Sequence, residues 1–333
     1  MELFELLTKL NAAHGPSGDE GGVRAVIKEL ARPYADELTE DTMGNLIVHK
    51  KGDGPRVMLS AHMDSIGFIV THIEKEGFLR VGRLGGISPK EVAYTPVRFR
   101  NGVLGVLVKE EKADFGKLKL DECYIDIGAK DQDEAKSMVQ VGDTAVYNTA
   151  GFISGDKVIS PYLDNRISCA ILLKTLEQAG QPANDLYFVF SAQEEVGLRG
   201  AKTAAWAIDP DYGLAVDVTD VDDTPGSDKC GTVRLGKGAA VKVMDSSVIC
   251  HPAVVDKLEQ LAKQQDIPTQ RDIMRAGGTD AGVIHTTRIG VLTGGVSVPC
   301  RYIHTPQEMA DLKDAENCVK LLSAFAQAEL EQV

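Results

Sequence analysis

Residues 186–200 read LYFVFSAQEEVGLRG: an unbroken apolar run, then a turn carrying Glu194 and Glu195, then a glycine. A segment apolar at every position belongs to a strand covered on both faces, as in a parallel sheet between helical layers. Helix-forming SCAILLKTLEQAG (168–180) precedes this strand. GLAVDV (213–218), a helix near residues 253–264 and RIGVLTGG (288–295) follow it. Upstream, a helix over 19–34 leads into NLIVH (45–49) and RVMLSAH (56–62), which read as neighbouring strands.

Between about 70 and 158 the texture changes to short strands such as TPVRFR (95–100), GVLGVLV (102–108), CYIDIGA (123–129) and DTAVYN (143–148), broken by glycines and charged turns. The expected fold is therefore α/β, with a mixed central sheet flanked by helices in residues 1–67 and 160–333. A small β-barrel or sandwich domain is inserted at 68–159. The last helix is expected over 314–331, with apolar positions 315, 319, 322, 325 and 326 facing the core.

The 333 residues carry a formal charge of −13, which disfavours nucleic acid and anionic membranes as partners. No segment approaches the roughly 18 apolar residues of a membrane span, and the N-terminal stretch reads as an amphipathic helix. A soluble, cytoplasmic protein is expected. Cysteines 123, 169, 230, 250, 300 and 318 form no CxxC pair and read as reduced, buried thiols.

Two histidines stand out among seven. His62 ends an apolar strand in SAHMDS (60–65), and Asp64, two residues on, projects to the same side as an orienting carboxylate. His304 lies in RYIHTP (301–306), after the last apolar strand. Asp164 in SPYLDNR (160–166) is either a helix cap or a ligand, and Asp217 ends GLAVD. Ligands gather at the carboxyl ends of strands in open α/β sheets, so these chain-distant groups can converge. His62, Asp164, one of the two glutamates, Asp217 and His304 can bind two divalent ions if one carboxylate bridges them. Nitrogen and oxygen donors without thiolate suit zinc, cobalt or manganese. The other glutamate then serves as a general base, and spacing leaves open which glutamate does which.

Other patterns carry less. GTVRLGKG (231–238) matches a phosphate loop until Gly238 stands where Ser or Thr would hold magnesium. AGGTDAG (276–282) is either a turn capped by Thr279 or Asp280 or a set of amides facing a substrate. HExxH and GxSxG are absent.

Taken in order, AHMDSIGF (61–68), SPYLDNR, AQEEVGLRGA (192–201), AVDVTD (215–220) with DDTPG (222–226), AGGTDAG and RYIHTP resemble one family over essentially the whole chain. It is that of the tetrahedral, glutamyl or deblocking aminopeptidases, dinuclear metalloenzymes of the co-catalytic zinc exopeptidase clan, some of which carry a cellulase label. The resemblance implies hydrolysis of the N-terminal bond of short peptides with two divalent ions, Zn²⁺ or Co²⁺ foremost. It implies that His62 and Asp217 complete one metal site, Glu195 and His304 the other, and Asp164 bridges. Glu194 would be the base, and Asp64 would orient His62. It further implies a homo-oligomer, in which dimers formed through the insert assemble into a tetrahedral dodecamer. Ser65 stands where many relatives carry an acid, and Ala239 where proline is common. Rival readings are an aminoacylase or carboxypeptidase on the same metal core, an endoglucanase, or a metal-bound scaffold without activity.

Overall fold

The computed structural model describes residues 1–227 and 231–331, and the apolar run of the opening stretch is a strand, Asp185–Ser191. It runs parallel to Arg56–His62, which is parallel to Tyr212–Asp220, itself parallel to Leu292–Arg301. Leu186, Phe188 and Phe190 enter the core beneath the helices Leu3–Ala12, Leu163–Gln178 and Leu312–Ala326. Val189 points the other way, against Ala201, Ala204 and Ala205 of the helix Arg199–Ile208. Burial on both faces is why the run carries no polar alternation.

Antiparallel strands widen this parallel centre. Leu46–Lys50 and Glu37–Glu40 add on one side, and Glu308–Asp311, Lys157–Ser160 and Phe152–Ser154 on the other. With Ala239–Met244 and Thr269–Ile273, which branch beside Leu292–Arg301, the mixed sheet has eleven strands. Among the described residues no helix is long and apolar enough to cross a membrane.

The inserted segment forms a closed six-stranded barrel whose strands run from Gly67 to Tyr147. Phe68, Leu79, Val97, Phe99, Leu107 and Ile125 fill its own core. Sequence reading counted residues up to 159 with this insert. The hairpin Phe152–Ser160 instead joins the large sheet, because Val158 and Ile159 find their partners in Ala310 and Met309.

The last helix stops at Ala326, five residues short of the expected 331. The buried Asn184 amide donates to the carbonyls of Ala326 and Ala328, turning the chain out of the helix. Five cysteines are buried and free, and Cys230 lies outside the described residues. In the loop resembling a phosphate site, the amides of Gly236 and Gly238 are occupied by the Asp314 carboxylate at 2.7 Å each, and a strand follows instead of a helix.

Where the opening stretch passes from strand to helix, Asn45 clamps the turn. Its Oδ1 accepts from the Ala192 amide and its Nδ2 donates to the Gly200 carbonyl, both at 2.9 Å. A Cβ on Gly200 would lie 2.2 Å from Asn45 Oδ1 and 2.4 Å from the Ala192 carbonyl oxygen. Gly200→Ala is therefore expected to lower stability by about 1–3 kcal/mol through overpacking. A reduced thermal unfolding midpoint in calorimetry checks this, and an unchanged midpoint contradicts it.

Candidate metal centre

Parallel pairing brings the carboxyl ends of four strands to one edge of the sheet. His62 is the last residue of its strand, level with Ser191 on the neighbour, and Glu194 and Glu195 follow Ser191. Asp217 lies near the end of Tyr212–Asp220, and His304 follows Leu292–Arg301. Asp164 arrives from the other direction, at the start of Leu163–Gln178. It is not the helix cap, because its carboxylate oxygens face the His62 and His304 rings of the cleft and accept no amide of the helix's first turn.

Asp164 divides its two oxygens between the two imidazoles. Oδ1 is 3.0 Å from Nε2 of His62, and Oδ2 is 3.3 Å from Nε2 of His304. His304 Nε2 is also 3.2 Å from Glu195 Oε2, while His62 Nε2 is 3.7 Å from Glu194 and 3.8 Å from Asp217. Two clusters offer donor atoms within 4.8 Å of one another: His62, Asp164 and Glu195, and His62, Glu194 and Asp217. All the groups singled out from the sequence thus meet in one cleft, with Asp64 behind it. By distance alone, His62 belongs to both clusters, and Glu194 stands with Asp217.

The loops that deliver these groups adopt costly backbone conformations. Tyr162, Gln193, Leu198, Tyr302 and His304 all have φ between 56° and 66°. For residues with a Cβ such conformations cost about 1–3 kcal/mol each and persist only where the surroundings hold them. The Asp164–Asn165 peptide is cis.

Two buried carboxylates do the holding. The Asp64 carboxylate lies 3.4 Å from His62 Nδ1, whose nearer partner is the Asp64 backbone carbonyl at 3.2 Å, and it also accepts the amides of Glu194 at 3.0 Å and Glu195 at 3.3 Å, and the Ser17 hydroxyl at 2.6 Å. Glu308, which sequence reading missed, accepts the Asp164 amide at 2.8 Å and the His304 amide at 2.9 Å, one on each oxygen. Its only trace in the sequence is a glutamate four residues after His304, with nothing to mark it as buried. Asp280 of AGGTDAG stands at the N-cap position of the helix Ala281–Ile284, but its side chain makes no capping bond. Its Oδ2 accepts the hydroxyls of Ser60 and Ser191, tying two strand ends together.

The charges do not balance within the protein. Burial, then neighbouring carboxylates, push Glu194, Asp217 and Glu195 above the usual carboxylate range. Burial works against a charged His304 ring, but Asp164 and Glu195 outweigh it and push it up to about 12. Hydrogen bonds from His304 and His62 overcome burial at Asp164 and hold it below its ordinary value. Glu195 Oε1 is buried with no hydrogen-bond partner. Oxygen and imidazole donors crowded this closely, with an orphaned carboxylate oxygen, fit divalent cations in the cleft.

Comparison with known proteins points the same way. Residues 44–321 match the family model described as M42 glutamyl aminopeptidase. The chain belongs to this family. M42 aminopeptidases are metal-dependent, in keeping with the donor set. A lysyl aminopeptidase of Pyrococcus furiosus is 38% identical over 338 residues, spanning 97% of this chain and 96% of that one. Among solved structures, an aminopeptidase of Desulfurococcus kamchatkensis superposes with a TM-score of 0.94 at 38% identity, covering 98% of this chain and 94% of its own. The TET1 peptidase of Pyrococcus horikoshii, described as assembling into a tetrahedron or a large octahedral shell, superposes at 0.89 with 31% identity, covering 98% and 99%.

In this M42 aminopeptidase Glu308 holds two donor-bearing backbones at once. Glu308→Gln would set an amide group against one of those two peptide N–H groups. Divalent-metal affinity, measured by titration calorimetry, is expected to fall about 10–100-fold, the usual effect of losing a group that orients metal ligands. Wild-type affinity in that variant would remove Glu308 from the role.

Proposed function

We propose that this aminopeptidase releases the N-terminal residue of short peptides using two divalent ions, Zn²⁺ or Co²⁺ foremost and Mn²⁺ also suited. His62 and Asp217 would hold one, Glu195 and His304 would hold the other, and Asp164 would be shared by both. The observation that carries this reading is the division of the Asp164 oxygens between His62 and His304, at 3.0 and 3.3 Å. When bound, the ions supply Lewis acidity toward the scissile carbonyl and the attacking water.

The protein's own part is positioning and proton transfer. Glu194 accepts the proton of the attacking water and delivers it to the departing amine. Its carboxylate lies 3.7 Å from Nε2 of His62, beside the donor cluster. Asp64 fixes where Glu194 stands, by accepting its amide, and fixes the His62 ring through Nδ1. Oligomerisation belongs to the same proposal: the barrel between Gly67 and Tyr147 mediates dimers, and dimers build a tetrahedral dodecamer. The shell assembly of the TET1 relative supports it.

Glu194→Gln separates proton transfer from metal binding. The variant is expected to retain its metal content, measured by atomic absorption, while turnover of aminoacyl substrates falls about 10²–10⁴-fold. Near wild-type turnover would show that another group is the base. Assayed beside free-amine peptides, N-acylated ones distinguish an aminoacylase. Activity that persists through chelation with EDTA would point to chemistry without metal.

A further inference from the structure

The family's own name speaks of glutamyl substrates and a relative's of lysyl ones, so membership alone leaves the preferred N-terminal side chain undecided. The cleft itself bears on that choice. It encloses about 590 Å³, and beyond the six groups already described its walls are apolar or glycine with one exception. Leu198, Met274 and Ile303 supply the apolar wall, and among the described residues no lysine or arginine lines it. The exception is Asp220, the last residue of the strand that carries Asp217.

We infer that this cleft selects peptides whose N-terminal residue bears a long cationic side chain, lysine or arginine, and that Asp220 is the group that receives the cation. The inference rests on the aminopeptidase reading above and adds the substrate class.

Three observations carry it. First, Asp220 is unspent. Asp223 is paired with Arg301 at 2.6 Å and Asp222 accepts the Gly231 amide at 2.7 Å. The Asp220 carboxylate has no hydrogen-bond or ion-pair partner among the described residues, and it is exposed at the cleft. Second, the groups around Asp220 fit such a side chain. Half-buried Ile303 lines both this cleft and the adjoining cavity together with Asp220, and Leu198 and Met274 extend the apolar wall. A lysine or arginine lays its methylene stem on apolar surface and keeps its charged head at a polar edge, which is the sequence wall, then carboxylate.

Third, the charge that Asp220 sets at its end of the wall is negative. A glutamate side chain laid along the same wall would end at the Asp220 carboxylate, and among the described residues no lysine or arginine lines that wall to receive it. Arg275, between the lining residues Met274 and Ala276, and Arg199, next to Leu198, are exposed and do not line the cleft themselves. A neutral aliphatic residue would gain the wall and leave Asp220 unpaired. The preference is thus set by matching a buried stem and a terminal charge together, not by the metal cluster, which every substrate meets alike.

The test uses the full chain reconstituted with Zn²⁺ or Co²⁺ and the p-nitroanilides of lysine, arginine, leucine and glutamate. In the wild type, kcat/KM for lysine and arginine is expected to exceed that for leucine by at least about tenfold, with glutamate lowest. Asp220→Asn is expected to collapse the lysine to leucine ratio toward one, and Asp220→Lys to invert the order of lysine and glutamate. The lysine preference should also shrink as salt rises from low to high ionic strength, because the contact is at an open cleft. A wild-type enzyme that favours leucine or glutamate overturns the inference, and so does a lysine to leucine ratio that survives Asp220→Asn. Release of p-nitroaniline from none of the four, with N-acylated peptides cleaved instead, would overturn the aminopeptidase reading and the inference with it.

Discussion

A carboxylate taken wholly out of water must find partners for both oxygens, and at Asp64 that requirement organises the cleft. One oxygen faces the His62 ring and the Glu194 amide, and the other takes the Ser17 hydroxyl and the Glu195 amide. One buried side chain therefore joins a strand end, the N-terminal segment and the turn bearing both glutamates. Glu308 repeats the device on the far side, where it binds the backbones of Asp164 and His304. Between these two anchors the donor groups have little freedom, and the strained left-handed residues around them stay in place.

The cluster so assembled is a poor arrangement for a protein without cations. The donor cluster holds four carboxylates and two imidazoles, and three of the carboxylates are driven upward by burial and mutual repulsion. A fold built only for stability would replace such groups by apolar ones of similar size at no loss. Their retention makes sense as a site that positive charge completes. The strain in its loops belongs to the same exchange of stability for geometry.

The division of the chain follows from which strands can find partners. The barrel closes on itself with its own core, so it can leave the large sheet after His62 and hand the chain back without disturbing the parallel centre. The returning hairpin at Phe152–Ser160 joins the large sheet, and the helix that follows begins with Asp164 at the cleft. An insertion between two donor groups is thereby compatible with their meeting, since only the ends of the insertion have to be close.

Much of this was legible in the residues. An apolar run such as Leu186–Phe190 reports burial on both faces, and acids or histidines at the ends of such runs report a cleft, because strand periodicity and strand ends are local properties of the chain. The resemblance of the motifs implies which of Glu194 and Glu195 is the base, an assignment that spacing leaves open. Only the tertiary structure decided that Asp164 faces both rings instead of capping its helix, that Glu308 and Asp280 are anchors, that the hairpin at 152–160 leaves the insert, and that Asp220 stands alone on an apolar wall. Each of those depends on which distant segment supplies the neighbouring atom. Local sequence sets the direction in which a side chain leaves the backbone, whereas its hydrogen-bond partner is set by how the chain crosses itself.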